Sequence, residues 1–333
     1  MDREAITALV AGAGSIGRRH ARNLQTLGVD VVAFDPDDDA RAAIGEDLGI
    51  QVYSAFKSAL AAAEPDIVVV SAPNRYHVEL ATVGARADCH LFVEKPLSHT
   101  MEGVRQLESI ADDRDLVSLV GSNLRFLPEM RKMRELLGDD VVGPIRAARV
   151  EGGSYLPKWF PKKGYREAYS ARTDLGGGVV LDYIHEINYA RWLLGEFETV
   201  SGMAGQLSDL DVETNDVAAI LARRSDGMVC EFHLDYIQRA ESRSCHIIGE
   251  KGTIRWSWPN ETVKWYVADD GWHSFERPEE WKFNDMYVDE MEHFIEAVSE
   301  GTETVCSISC GRRDLEIALA ARESSETGRH VAI

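Results

Sequence analysis

The run Gly12-Ala13-Gly14-Ser15-Ile16-Gly17 joins the apolar stretch ITALVAG to the helical pattern SIGRRHARNLQTLG. Strand-like and helix-like segments keep alternating after it: VDVVAFD then DDDARAAIGEDLG, AFKSALAAAE then PDIVVVSAP, a helix from about Asn74 then HLFVEKP, a helix near 100–112 then LVSLVGSN. Short apolar strands separated by helices predict an α/β fold with a doubly wound parallel sheet, because parallel neighbours need a crossover and a helix supplies it. The uninterrupted IVVV at 67–70 fits a strand buried on both faces.

After Gly143 the rhythm changes. IRAARVEGG reads as a strand, a loop rich in Trp, Pro and Tyr runs to about 175, and an apolar helix follows. From 197 to 268 come several strands with turn signals between them: Ser-Asp-Gly within VAAILARRSDGMVCEFHLDYI and Gly-Glu-Lys-Gly within CHIIGEKGTIRWSW. Hairpins make antiparallel pairs, so the second half is expected to be an α+β domain on a large, mostly antiparallel open sheet. The tryptophans at 256, 258 and 265 fall in these strands, for core or oligomer packing. Helices near 285–299 and 310–327 close the chain. A length of 333 residues suits two domains, divided here at 1–122 and 123–333. An open sheet with Trp and Tyr on its free face would expose more apolar surface than monomers carry, which predicts a homodimer or homotetramer through about 197–268.

Composition narrows the partners. A formal charge of −20 opposes nucleic acid and anionic membrane surfaces. No apolar run approaches the ~20 residues of a membrane span. MDREAITALVAGAG lacks the basic start and cleavage site of a signal peptide, so a cytoplasmic location is expected. Cys89, Cys230, Cys245, Cys306 and Cys310 are scattered and odd in number, which reads as reduced thiols. Cys306 and Cys310 would be helical neighbours, but two ligands do not make a metal site, and no metal is expected.

A lone GxGxxG often only turns a chain. Here a strand precedes it, a helix follows, and Asp35 ends the second strand. Gly12, Gly14 and Gly17 would let the backbone approach a pyrophosphate resting at Ser15 and Ile16 on the helix N-terminus. Asp35 stands where a carboxylate hydrogen-bonds a ribose 2′-hydroxyl. With Asp37, Asp38 and Asp39 beside it, it would repel a 2′-phosphate, so NAD is favoured over NADP.

LGGGVVLDYIHEINYARWLLG, residues 175–195, carries Asp182 and His185 three apart and so on one face of a mostly apolar helix. A solvated or capping pair would show the same spacing. A histidine also suits proton transfer near neutral pH, and an aspartate one turn away can orient it. The glycines at 176–178 would let the helix begin close to a ligand. Lys95 follows a buried strand at the C-terminal edge of the sheet, where doubly wound folds bind ligands. Before the helix, YLPKWFPKKGYREAYSAR (155–172) gathers Trp159, Tyr165, Arg166, Tyr169 and Arg172. Aromatic faces suit sugar rings and arginines suit carboxylates or phosphates. A loop that covers the sheet or a subunit contact would have the same composition.

GAGSIGRRHARNL (12–24), SAPNRYHVELA (71–81), FVEKPLS (92–98), GSNLRFLPEM (121–130), the 175–195 segment and ALAARESSETGR (318–329) together resemble the glucose–fructose oxidoreductase / inositol dehydrogenase / MocA family, in family order and over nearly the whole chain. The resemblance implies a nicotinamide-dependent dehydrogenase of sugars, polyols, sugar acids or nucleotide sugars, and dimers or tetramers joined by their C-terminal sheets. It implies that Lys95 lies near the nicotinamide, facing Asp182 and His185, as the catalytic set. Ser71, Pro73, Asn74, His77, Glu94 and Asn123 join the glycine loop as candidate cofactor ligands, and Arg125 joins the aromatic loop at the substrate. His77 and His20 are read as structural or cofactor-adjacent. In inositol-dehydrogenase-like members the aspartate and histidine are four apart; here they are three. Two other readings stay open: reduction of a C=C or imine bond on the same frame, and a non-catalytic NAD-binding sensor.

Overall fold

The computed structural model describes residues 6–161 and 164–333. They form two units: residues up to Asn123 with Phe283–Arg313, and Leu124–Lys282 with Asp314–Ile333.

In the first unit the chain runs β1 (Thr7–Ala11), α1 (Ser15–Thr26), β2 (Asp30–Phe34), α2 (Asp38–Leu48), β3 (Gln51–Tyr53), α3 (Phe56–Ala63), β4 (Ile67–Val70), α4 (His77–Arg86), β5 (His90–Val93), α5 (Val104–Asp113) and β6 (Ser118–Val120). The six strands form a sheet in the order β3-β2-β1-β4-β5-β6, parallel throughout. All four residues of β4 are fully buried, as the IVVV run predicts. Gly84 lets α4 lie close to that strand, since a Cβ there would stand 3.1 Å from Val68 Cγ2. The strand order reverses between β1 and β4, and the crevice beyond their C-terminal ends is where such sheets bind ligands.

The second unit begins α6 (Pro128–Gly138), β7 (Ile145–Gly153), α7 (Val179–Asp182) and α8 (Ile184–Leu194). Seven strands follow: β8 (Thr199–Gly205), β9 (Val217–Arg223), β10 (Val229–Asp235), β11 (Ser242–Gly249), β12 (Gly252–Ser257), β13 (Thr262–Val267) and β14 (Gly271–Glu276). Helices α9 (Asp285–Glu300) and α10 (Ile308–Thr327) and a short β15 (Val331–Ala332) complete the chain. Nine strands pair in the order β14-β13-β12-β11-β7-β10-β9-β8-β15. Only β7 and β10 run parallel, so the sheet is mostly antiparallel, as the hairpin signals predict. Trp256 of β12 is buried and meets buried Tyr189 of α8 edge-on at 5.8 Å.

Three expectations are corrected here. The segment 283–313 belongs to the first unit rather than to a domain running from 123 to 333. Met291, Phe294, Ile295 and Val298 of α9 share a core cluster with Ile6, Leu24, Phe92 and Leu119, and Phe294 meets Phe92 at 5.8 Å. An apolar helical stripe says that a helix is covered, not by which sheet. Trp258 lies in a 3₁₀ turn, Trp258–Asn260, rather than in a strand, because Pro259 cannot donate to a ladder. The sheet's outward face is less aromatic than expected. Tyr266 and Trp272 stand exposed toward one edge, Met203 and Leu221 toward the other, and an Arg149–Glu231 ion pair lies between them.

Candidate active site

In the first unit β1 ends at Ala11, and Gly12 turns the chain with φ +110°. A Cβ at Gly12 would press the Ser71 carbonyl at 2.6 Å, and one at Gly17 would run into the Gly12 carbonyl. The Ser71 hydroxyl donates to the Gly12 carbonyl at 3.0 Å, so β4 holds the loop from behind. At Gly14 nothing lies within 4 Å of a Cβ position, which leaves the mouth of α1 open. There the first N–H groups of the helix have no intrahelical acceptor. Asp35 is fixed by two backbone donors, Ala13 N–H to Oδ2 at 2.7 Å and Asp37 N–H to Oδ1 at 2.9 Å. Asn123, buried at the end of the unit, has an Oδ1 without a partner among the described residues. A tight glycine cradle, an open helix N-terminus, a fixed carboxylate and an unspent buried acceptor fit a dinucleotide with a free ribose hydroxyl.

The turn after β5 carries Glu94, Lys95 and Pro96. Fully buried His20 of α1 places Nε2 2.6 Å from Glu94 Oε1, and Glu94 Oε2 accepts the Lys95 N–H at 3.1 Å. Burial pushes the Glu94 carboxyl up, but the His20 hydrogen bond and charge, with Lys95, outweigh it and hold the group below the usual carboxylate range. Gly121 follows β6 against this turn: a Cβ there would stand 3.1 Å from Glu94 Oε2. Lys95 itself is half-buried. His77, read above as a candidate cofactor ligand, has Nδ1 2.8 Å from the Pro96 carbonyl and Nε2 2.7 Å from the Ala72 carbonyl. Both ring nitrogens therefore face backbone carbonyls of the protein.

In the second unit the Asp182 and His185 segment is not one continuous helix. Helix α7 is a single turn ending at Asp182, Tyr183 leaves helical geometry (φ −93°, ψ 28°), and α8 starts at Ile184. The three-residue spacing therefore crosses a break, and the one-face argument does not hold as stated. Asp182 is buried and His185 half-buried. The phenol of fully buried Tyr236, just past β10, donates to Asp182 Oδ2 at 2.5 Å. Burial and the Asp182 charge push the Tyr236 phenol well up, so it keeps its proton. No local motif singles out Tyr236, which stands 54 positions from its partner. The glycines also serve the protein itself, since a Cβ at Gly177 would run into the Tyr169 and Ser170 carbonyls.

Trp159 turns inward, its Nε1 donating to Ser154 Oγ at 2.7 Å, and its ring lies 5.5 Å from Tyr236 and 5.9 Å from Tyr183. The two arginines of the loop do otherwise. Exposed Arg166 pairs with Asp211 at 2.7 Å while its guanidinium lies over Tyr165, and Arg172 grips Asp174 through two bonds at 2.9 and 2.8 Å. Their charge is met by neighbouring acids, so neither arginine stands as an unmatched cation in this loop. Tyr169 is half-buried in a 3₁₀ turn. Lys162 and Lys163, which add to the loop's basic composition, lie outside the described residues. Arg125 is buried, and its Nε donates to Asn188 Oδ1 at 2.9 Å. It stands in a polar chain rather than in an open pocket.

Comparison with known proteins identifies the family. Residues 6–122 match the model of an oxidoreductase family with an NAD-binding Rossmann fold, and residues 130–255 match the GFO/IDH/MocA C-terminal domain. Myo-inositol 2-dehydrogenase of Thermotoga maritima is 26% identical, with 97% of each chain covered. Inositol 2-dehydrogenase of Rhizobium meliloti is 28% identical, again with 97% of each covered. Levoglucosan dehydrogenase in complex with NADH superposes with a TM-score of 0.90 over 98% of this chain and 99% of that one, at 20% identity, and so shares the fold. With the two models matched in order over 6–122 and 130–255, the chain belongs to the GFO/IDH/MocA family of NAD-binding oxidoreductases.

Proposed function

We propose that this protein is an NAD-dependent dehydrogenase that oxidises a secondary hydroxyl of a neutral sugar or polyol, or reduces the matching ketone. The observation that carries the reading is the buried Asp182, held by Tyr236 at the break leading into α8, with His185 three residues on. NAD supplies the acceptor for the hydride that leaves the carbinol carbon. His185 takes the hydroxyl proton, and Asp182 orients the ring and stabilises its charged form. Lys95 donates to the reacting oxygen and stabilises the negative charge that develops there. A neutral substrate is favoured because Arg166 and Arg172 are matched by Asp211 and Asp174. The two full-length relatives named above, inositol 2-dehydrogenases by name, support a cyclic polyol or sugar.

NADH fluorescence during a screen of inositols, neutral sugars, uronic acids and nucleotide sugars tests this. Turnover is expected with an inositol or a neutral sugar. Turnover confined to the uronic acids or nucleotide sugars would overturn the reading, as would tight NADH binding with no turnover on any of the four classes. We also expect NAD(H) to bind more tightly than NADP(H), since Asp35 repels a 2′-phosphate. Asp35→Ser should narrow the gap by about 10-fold or more, the worth of one close charge pair at a protein surface. Equal affinities in the wild-type protein by titration would refute this.

A further inference from the structure

Two histidines in the first unit lie outside the proton-transfer step, and both grip the turn that bears Lys95. His20 holds Glu94, the residue before the lysine. His77 reaches Pro96, the residue after it. The His77 ring opens α4 at 1% exposure and bridges two loops, because its other nitrogen meets the Ala72 carbonyl beyond β4. Both partners are carbonyl oxygens and can only accept. A neutral imidazole has one N–H, so it serves one of the two at a time, and only a protonated ring serves both. Burial disfavours the charged ring most strongly and lowers its proton affinity. The two carbonyls and Glu94 act in the opposite direction, and Lys95 acts with burial. A neutral ring must therefore commit its one proton, and the Pro96 carbonyl is the acceptor adjoining Lys95.

We propose that His77 is a positioning residue for Lys95: its Nδ1–H binds the Pro96 carbonyl and fixes the turn from which the lysine reaches the reacting oxygen. This rests on the role given to Lys95 above. Asparagine places an amide N–H near the position of Nδ1, and glutamine places one near Nε2. His77→Asn can thus keep the bond to Pro96, His77→Gln only the bond to Ala72, and His77→Phe neither. A displaced catalytic group costs rate rather than binding, so His77→Gln and His77→Phe should each lose about 10-fold or more in kcat with NADH affinity little changed. His77→Asn should lose several-fold less. Equal kcat in the asparagine and glutamine variants would overturn the proposal, and their comparison decides the matter even if the phenylalanine variant fails to fold.

Two further measurements separate this from the reading it rests on. Adding His77→Gln to Lys95→Ala should cost nothing more, because the residue acts through the lysine; a full additional loss would show an independent role. If Lys95→Ala alone turns over normally, the reading of the site fails instead, whatever the ring does. Imidazole ¹⁵N spectra of the protein without substrate should show Nδ1 protonated at pH 7.5, with Nε2 gaining a proton only as the pH falls. A ring protonated at Nε2 alone would overturn the proposal without any activity measurement.

Discussion

Replacing Lys95 or His185 by alanine should lower turnover by about 10²–10⁴-fold, the usual cost of removing one acid–base group, while the protein melts as before and binds NADH. The separation follows from where the groups stand. The cofactor cradle rests on Gly12, Gly17, Ser71 and Asp35, whereas Lys95 sits on the turn after β5 and His185 on the first turn of α8. Asp182→Asn keeps the shape and leaves Tyr236 an oxygen to donate to, but removes the charge. The neutral amide no longer favours the imidazolium, so His185 should lose its proton more readily and the acidic limb of the oxidation profile should move to lower pH. Steady-state kinetics on the substrate from the screen, with stopped-flow NADH binding, check all three variants. Near-wild-type turnover in both alanine variants would leave Lys95 and His185 with structural roles only.

The largest stability loss is expected at Asp314. Its carboxylate, 5% exposed, accepts from Arg191 Nη1 at 2.5 Å and from Asn188 Nδ2 at 2.6 Å, while Asn188 in turn accepts from Arg125. Asp314→Ala leaves a buried guanidinium and a buried amide without their acceptor. Removing one partner of a buried pair costs about 3–5 kcal/mol, or a fall of roughly 10 °C in melting temperature for a domain of this size. Arg191 keeps exposed Glu196 as a second partner, at 2.5 Å, which softens the loss. Replacing both partners, Arg191→Met with Asp314→Leu, should cost less than Asp314→Ala alone, because the Arg191 guanidinium is then no longer left buried without its carboxylate. If the double variant is the less stable by calorimetry, the pair contributes more than it costs to bury.

Much of the fold could be read without coordinates. The glycine turn, the alternation of strands with helices and the hairpins within 217–257 are local patterns, and the strands at β1, β4, β9 and β12 lie where those patterns put them. Element order and the dinucleotide cradle follow from them, because a glycine loop between strand and helix admits few backbone paths. Strands β14 and β15 escape such a reading. Each is an edge strand, and edge strands need only part of the alternation that a central strand shows.

The candidate site was legible as residue types and not as an arrangement. Arg166 and Arg172 look like lone cations until Asp211 and Asp174 are seen beside them. Asp174 is near in sequence, but Asp211 lies 45 positions away. His77 looks like a cofactor neighbour until both its ring nitrogens are found on backbone carbonyls, one of them 19 positions on. Asp182 and His185 read as a helical pair, yet Tyr183 breaks the helix between them, and the partner that holds Asp182 comes from the end of a central strand. Periodicity, capping and turn chemistry act over a few residues, and so the amino-acid order alone states them. Which carboxylate neutralises an arginine, which phenol steadies an aspartate and which sheet covers α9 depend on groups tens or hundreds of positions apart. Burial brings these groups together, and the need to satisfy every polar atom it encloses then pairs them.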